Sequence, residues 1–196
     1  MRINAKMVGA GVAAAVGAGL GYLFLRHDDE PEFATVERDG AFSVRDYPRL
    51  TVAETVSEGL RESALSRGFL ALADYISGKA SGGRRIKMTV PMLADGDEDG
   101  RGWRTRFVMP ARIAPEALPA PAAGITIRSL AARRIAAVRF AGEASDDSLA
   151  SYEDELRHWI DSHGHRAAGP VEHAFYNSPL TPAALRRNEV LIPLAA

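Results

Sequence analysis

The sequence predicts an α+β fold: a distorted antiparallel β-barrel with two flanking helices, preceded by an N-terminal transmembrane helix. Three observations lead to this prediction. Short segments alternate apolar and polar residues, as half-buried antiparallel strands do. Two longer segments carry apolar residues at helical spacing. The order of these segments is the same in the two halves of the chain, which indicates a duplicated β-β-helix-β-β unit.

The composition limits the class of protein. The chain has 196 residues, of which 46% are hydrophobic and 25% are charged, and this is enough for one folded core with an appendage. Its formal net charge is -1, so the electrostatic attraction on which nucleic-acid binding rests is missing, and we expect no nucleic-acid partner. The lack of cysteine excludes disulfides, a thiol nucleophile and thiolate metal sites.

The N-terminal segment predicts a membrane anchor. The 19 residues 7–25 carry no charge, and as a helix they would cross the ~30 Å hydrocarbon core of a bilayer. Basic residues precede the segment and an acidic stretch follows it, so we expect a cytoplasmic N-terminus and an exported domain, periplasmic or otherwise extracytoplasmic. A cleaved signal peptide is the alternative, but "GYLFLRHDDEP" offers no small-residue cleavage site. The predicted parts are an uncleaved anchor (1–26), an acidic linker (27–33) and a folded domain (34–196).

The first unit begins with two predicted strands, "FSVRDYP" and "LTVAETV", which Pro48 separates. A helix follows them and ends at Gly78. Two further strands, "IKMTVPM" and "WRTRFVMP", are joined by the acidic hairpin "ADGDEDGRG". The apolar face of the helix consists of Leu65, Phe69, Leu72, Ala73 and Ile76.

The second unit repeats this order. "ITIRSL" and "RIAAVRFAG" are predicted strands, and Ser148 is the predicted N-cap of a helix that ends at Gly164. The strands "VEHAFYN" and "NEVLIPL" complete the unit. Between them we predict a turn over 177–179 and a short helical turn that begins at Pro182. The buried face of this second helix consists of Leu149, Tyr152, Leu156, Trp159 and Ile160.

Four segments, "IKMTVPM", "RFVMP", "RRIAAVRFAG" and "YNSPLTPAALRRNEVLIPL", occur in an order and spacing that resemble the SOUL, or haem-binding-protein, family. The resemblance covers most of residues 32–194. It implies a duplicated, distorted antiparallel β-barrel with two helices. It also implies non-covalent binding of haem or a related tetrapyrrole in an apolar cleft, with the first helix as one wall.

The resemblance also implies which residues bind the ligand. In some family members, cations on the first helix and near the C-terminal proline turn meet the haem propionates, but Asp74 and Thr181 occupy the matching positions here. Lys79, Arg84 and Arg85 in the loop after the helix are further cations that could serve. The apolar face of the first helix has a second explanation, because an ordinary helix buries such a face in the protein core. The implied ligand-binding set is Leu65, Arg67, Phe69, Leu72, Ala73, Ile76, Met88 and Met92.

Histidine is the usual axial ligand of haem iron, and three histidines cluster near the end of the second helix: His158, His163 and His165. Their spacing directs them to different sides, so we predict no protein metal ligand and keep His165 as the alternative. His173 lies on a predicted strand, where the sequence shows no partner for it.

We predict no catalytic residue, and a role in carriage, buffering or sensing of a tetrapyrrole. The alternative is a hydrolase or an effector-binding domain that takes another hydrophobic small molecule and uses a pocket carboxylate such as Glu189. The structural explanation of this glutamate is an ion pair with Arg186 or Arg187 at the rim of the sheet. A glutamate locked to arginine would leave the alternative without its residue.

Overall fold

The computed structural model describes residues 29–79, 83–97, 99–177 and 181–195. The predicted membrane span lies outside these ranges. Within them, the helices are too short or too polar to cross a membrane.

The described part of the chain contains nine strands and two α-helices. The sheet is antiparallel throughout, with the strand order β1-β2-β7-β9-β8-β4-β5-β3-β6. The elements are β1 (Ala34–Asp39), β2 (Phe42–Tyr47), β3 (Leu50–Glu58), α1 (Arg61–Ile76), β4 (Met92–Gly96), β5 (Gly102–Val108), β6 (Thr126–Leu130), β7 (Arg133–Ala141), α2 (Asp146–Ser162), β8 (Glu172–Phe175) and β9 (Arg187–Pro193).

The strand order confirms the duplicated unit. The first unit is β2-β3-α1-β4-β5 and the second is β6-β7-α2-β8-β9. The two units meet where β4 pairs with β8, and the order on one side of this junction mirrors the order on the other. The first strand of each unit pairs with the second strand of the other, β2 with β7 and β6 with β3. Each half therefore completes its sheet only with the other half.

The sheet curls into an open half-barrel, because β1 and β6 remain its two edges and do not pair with each other. The sheet is curved as a barrel is, as predicted, but it does not close into a full barrel. Strand β1 is an addition that the sequence reading placed in no element. Its residues are mostly exposed, and it pairs with β2 alone. Because neither of its faces is buried, its burial does not alternate as that of a half-buried strand does.

Two local predictions are wrong. Residues 86–91 of "IKMTVPM" form no strand, and β4 begins only at Met92. Pro91, which follows a cis peptide bond, cannot donate a backbone hydrogen bond to a sheet. The N-cap of α2 is Ser145 rather than Ser148, because the side chain of Ser145 accepts a hydrogen bond at 3.2 Å from the backbone N–H of Ser148.

Alternation along the strands gives the sheet two different faces. We call the one that carries both helices the helix face. There α1 packs on a cluster that includes Phe107 and Met92, and α2 packs on one that includes Val138 and Val190. The opposite face has its own apolar cluster, which includes Tyr47, Val52, Leu93, Val108, Ile135 and Leu191.

A glycine sets the distance between α1 and the sheet. A Cβ atom at Gly68 would lie 2.8 Å from the Cβ of Thr105 on β5 and closer still to its hydroxyl oxygen. Only glycine therefore allows this close approach. The C-terminal end of α1 also follows prediction, since Gly78 has a φ of 88°, a conformation that glycine adopts without strain.

Candidate ligand-binding cleft

An open cleft of about 550 Å³ lies on the helix face, between α1, the start of α2, and the ends of β4, β8 and β9. This volume is in the range of small-molecule and cofactor sites. The floor is a row of paired residues across three strands. Met92 pairs with Phe175, and Phe175 pairs with Asn188. Their side chains point to the same face because directly opposed residues in a sheet do so.

Helix α1 forms the apolar wall. Leu65 and Phe69 line the cleft from successive turns of the helix, and Leu70 lines it beside Phe69. Phe69 is held in place by an edge-to-face contact with Phe107, with 5.3 Å between the ring centroids. Leu70 is 40% exposed, which is high for a leucine, and the cleft is where its apolar surface is exposed.

Two arginines, Arg61 and Arg186, and three carboxylates, those of Glu62, Glu143 and Asp146, line the cleft. Arg61, the first residue of α1, donates hydrogen bonds to the carboxylate of Asp146 and to the carbonyl oxygen of Ala144 at 2.9 Å. This links the N-termini of the two helices. Arg186 follows the short helical turn Ala183–Leu185, and its Nε donates to the carbonyl oxygen of Thr181 at 2.8 Å. The prediction that Pro182 begins this turn is confirmed.

Some of the predicted ligand-binding residues line the cleft, and the others lie elsewhere in the structure. Leu65, Phe69 and Met92 line the cleft. Arg67 instead donates a hydrogen bond to the carbonyl oxygen of Glu58 and is not part of the lining. The later residues of the predicted stripe, Leu72, Ala73 and Ile76, are buried in the core and are not part of the cleft lining, and the same is true of Met88, which follows the helix.

Two of the three predicted loop cations are engaged elsewhere, and Arg85 is not part of the cleft lining. Lys79 pairs with Asp74 at 3.3 Å, and Arg84 donates to the carbonyl oxygen of Ala117 at 2.8 Å. The cations of the cleft, Arg61 and Arg186, were not selected from the sequence. Arg186 lies in the proline-containing segment near the C-terminus that carried the family resemblance, so the sequence offered a reason to select it. Arg61 precedes the apolar face of the first helix, and no pattern in the sequence marked it.

The histidines near the end of α2 lie outside the cleft lining. Nε2 of His165 is 2.9 Å from the carboxylate of Glu37, and Nδ1 of His163 is 2.9 Å from the carbonyl oxygen of Trp159. The ring of His163 also stacks on Trp159, with 4.2 Å between the centroids. In the described ranges, no three His, Asp or Glu side chains are arranged to hold a metal ion.

His173 differs from the other histidines because it is almost completely buried, with 6% exposure. It lies on β8, on the same face as Phe175, and its ring stacks on Trp103 at 5.9 Å. Burial, and after it the charge of Arg61, lower the pKa of His173 to about 4, while the charge of Asp146 opposes the shift. Its Nδ1 has no hydrogen-bond partner among the described residues. At neutral pH this imidazole is therefore uncharged.

Glu189 is on the opposite face of the sheet from the cleft and is buried, with 1% exposure. Its carboxylate accepts hydrogen bonds from Arg45 at 2.7 Å, Tyr176 at 2.9 Å and Arg187 at 3.2 Å. Burial raises the pKa of Glu189, but hydrogen bonds and charge from Arg45, with the charge of Arg187, outweigh it and hold the pKa below its ordinary value. The predicted pair with Arg187 is confirmed, but it lies inside the protein rather than at the rim.

The cleft combines an apolar wall with charged side chains of both signs, and its apolar wall and arginines are the parts that fit an amphipathic tetrapyrrole. The apolar side chains of Leu65, Phe69, Leu70 and Phe175 suit the flat macrocycle, and the arginines suit carboxylates, which guanidinium groups bind well. The lining contains the thioether of Met92 and no imidazole among the residues that the structure describes. These residues could therefore hold haem non-covalently, by apolar contact and charge.

Comparison with solved structures shows the same fold in distant proteins. The C-terminal domain of EcmrR aligns with a TM-score of 0.61 and 13% identity, covering 79% of this chain and 96% of that domain. A hydrolase from Listeria innocua aligns with a TM-score of 0.55 and 11% identity, covering 82% of this chain and 94% of that protein. At these identities the likeness concerns the fold alone. No curated protein sequence is similar enough to match.

The family comparison is more specific than the structural one. The sequence model of the SOUL heme-binding protein family matches residues 28–193, which is nearly all of the part that the structure describes. The predicted resemblance is thereby confirmed. The chain belongs to the SOUL heme-binding protein family.

Proposed function

We propose that this chain binds haem or a related tetrapyrrole non-covalently in the α1 cleft and holds it at a membrane surface for carriage, buffering or sensing. The observation that carries the proposal is the cleft itself, a space of about 550 Å³ with one apolar wall, in a member of a heme-binding family. Its lining also carries two arginines and the carboxylates of Glu62, Glu143 and Asp146.

Each part of the cleft has a distinct role in this proposal. Leu65, Phe69 and Leu70 bury one side of the macrocycle and exclude water from it, and Phe175 and Met92 support it from the sheet. Arg186 orients the ligand by attracting its carboxylates. Arg61, which is paired with Asp146, holds the N-termini of the two helices together at the cleft. Haem, when bound, supplies a redox-active iron centre. Binding is driven mostly by the burial of apolar area, at ~25 cal/mol per Å².

The alternative function is a hydrolase or an effector-binding domain for another hydrophobic small molecule that uses a pocket carboxylate such as Glu189, and the geometry does not support it in the form that uses Glu189. This carboxylate is fully enclosed and bonded to Arg45, Tyr176 and Arg187. It also lies on the face of the sheet opposite the cleft. A glutamate in this position is a structural ion-pair partner, and it is not free to act as a base or to meet a ligand.

The membrane part of the proposal rests on the sequence. Residues 7–25 are long and apolar enough to span a bilayer, and the linker that follows is short. With the domain held at the membrane, a hydrophobic ligand could pass between the bilayer and the cleft over a short distance. The physiological partner in this proposal is the tetrapyrrole, and the bilayer is the anchor.

The experiment that tests the proposal is a titration of the full chain in detergent with haemin, followed through the Soret band. We expect a saturable shift of the band that persists in His163→Ala and His165→Ala. Phe69→Glu should weaken binding strongly, provided that its thermal transition is intact. An unchanged Soret band would contradict the proposed function, and loss of binding in a histidine variant would move the site to the end of α2.

A further inference from the structure

The first described residues pack against the sheet face opposite the cleft, and we call residues 29–33 the strap. The carboxylate of Asp29 accepts hydrogen bonds from Lys87 at 3.3 Å and from Arg112 at 3.1 Å. The carboxylate of Glu30 accepts two from Arg187, at 2.8 and 3.1 Å. Asp29 and Glu30 are therefore paired with three cations of the folded domain.

The strap ends on an aromatic contact. The ring of Phe33 lies 5.0 Å from the ring of Tyr47, and the guanidinium of Arg45 lies 4.7 Å from the centroid of the Phe33 ring. An aromatic ring with a cation over its face gains electrostatic attraction in addition to apolar contact. Phe33 is therefore held by two contacts, an aromatic one with Tyr47 and a cation–π one with Arg45.

Between these two ends the strap covers an apolar floor. Pro31 lies over the opposite-face cluster, above Leu93, Val108 and Leu191. The cavity that remains beneath it is about 20 Å³, which is about the space of a single water molecule. The strap therefore fills this site, and another occupant would have to displace it.

The strap is held as a separate peptide would be held. The strap precedes β1, which begins at Ala34. Outside the sheet pairings of the described residues, one backbone hydrogen bond joins it to the domain: the N–H of Val90 donates to the carbonyl oxygen of Asp29 at 3.1 Å. The side chains of Asp29 and Glu30 are 34% and 41% exposed. Ion pairs at such exposure are weak and are screened by salt.

We propose that the opposite face carries a peptide-binding site for a segment with two acidic residues followed by proline and an aromatic residue, and that this chain fills the site with its own strap. A ligand segment attached to its receptor has a high effective concentration, so a free peptide competes only when the strap is weakened. The site is independent of the tetrapyrrole cleft, which lies on the other face of the sheet.

The probe for this site is a labelled synthetic peptide with the sequence of residues 27–33, HDDEPEF. The control peptide is HNNQPQA, in which amides replace the carboxylates and alanine replaces the phenylalanine. The receptor is the full chain in detergent as the double variant Glu30→Ala/Phe33→Ala, which weakens the cis segment without removing it. Glu32→Ala is the matched control variant, because it removes an exposed carboxylate from the same strap. Glu30→Ala alone is the second test variant and removes one side chain that is already 41% exposed.

Fluorescence anisotropy should show that the acidic peptide binds the double variant about tenfold or more tightly than it binds the wild type or Glu32→Ala. This binding should weaken as salt is raised, and the neutral peptide should not bind. Equal affinity for all the proteins would overturn the proposal. So would the absence of binding up to about millimolar peptide in either test variant with an intact thermal transition.

Discussion

Glu189 and Arg45 form a buried ion pair that joins the two halves of the duplicated fold. Oε2 of Glu189 lies 2.7 Å from Nη1 of Arg45, and the two side chains are 0% and 6% exposed. The glutamate is on β9 and the arginine is on β2, two strands that are separated in the sheet by β7. The pair therefore connects strands that share no backbone hydrogen bonds.

Because each partner neutralises the other, removal of one leaves a buried charge. We expect Glu189→Ala to lower the free energy of unfolding by about 3–5 kcal/mol. The double replacement Arg45→Met/Glu189→Leu should be less destabilising than this but not neutral, because Tyr176 and Arg187 lose their acceptor in both proteins. Denaturant unfolding of the two proteins measures this difference. Haemin affinity should be unchanged in a folded Glu189→Ala, and a loss of affinity there would restore the carboxylate to a role in ligand binding.

The buried histidine of β8 predicts a pH dependence of stability. The pKa of His173 is about 4 in the folded chain, against an ordinary value of 6.5. Between these values the unfolded chain binds more protons, so stability is full above about pH 6.5 and is lost as the pH falls toward about 4. The shift corresponds to about 3 kcal/mol. Subtracting the pH profile of His173→Phe from that of the wild type should isolate this slope, and identical profiles would show that His173 does not cause it.

The fold was largely predictable because its strands and helices bury alternate or helically spaced side chains. The stripe of α1 from Leu65 to Ile76 predicted the helix correctly. Periodicity could not separate the part of the stripe that lines the cleft from the part that meets the sheet, since both are apolar. The pairing of β2 with β7 and of β6 with β3 depends on contacts distant in sequence, and no local pattern reports it.

The polar residues of the site were harder to predict than its apolar residues. Arg61 and Arg186 are separated by more than half the chain, and only the fold places both at one cleft. The same is true of the strap, in which the acidic residues look like a solvated linker in sequence. Their partners, Arg112 and Arg187, come from distant segments. Glu189 was predicted to pair with arginine, but its burial depends on the neighbouring strands.

The anchor prediction concerns residues outside the described ranges and is tested in the cell and by truncation. We expect the full chain to be recovered with the membrane fraction, with Met1 or its processed equivalent retained and the domain accessible to protease only from the exported side. A mature N-terminus that begins after residue 25 would contradict an uncleaved anchor. A chain that lacks residues 1–26 should be soluble and unfold cooperatively, because both helices and all described strands lie beyond the deletion.

The central claim is that a tetrapyrrole binds in the α1 cleft, and one matched pair of variants tests it most directly. Leu70→Glu places a carboxylate in the apolar wall at a position that is 40% exposed, so the fold should tolerate it. Val56→Glu makes the same kind of change at a 46% exposed position on β3, outside the cleft lining. Haemin titrations of the two folded variants, followed through the Soret band, should show about a tenfold or greater loss of affinity for Leu70→Glu and wild-type affinity for Val56→Glu. Equal haemin affinity in the two variants would contradict the assignment of the site.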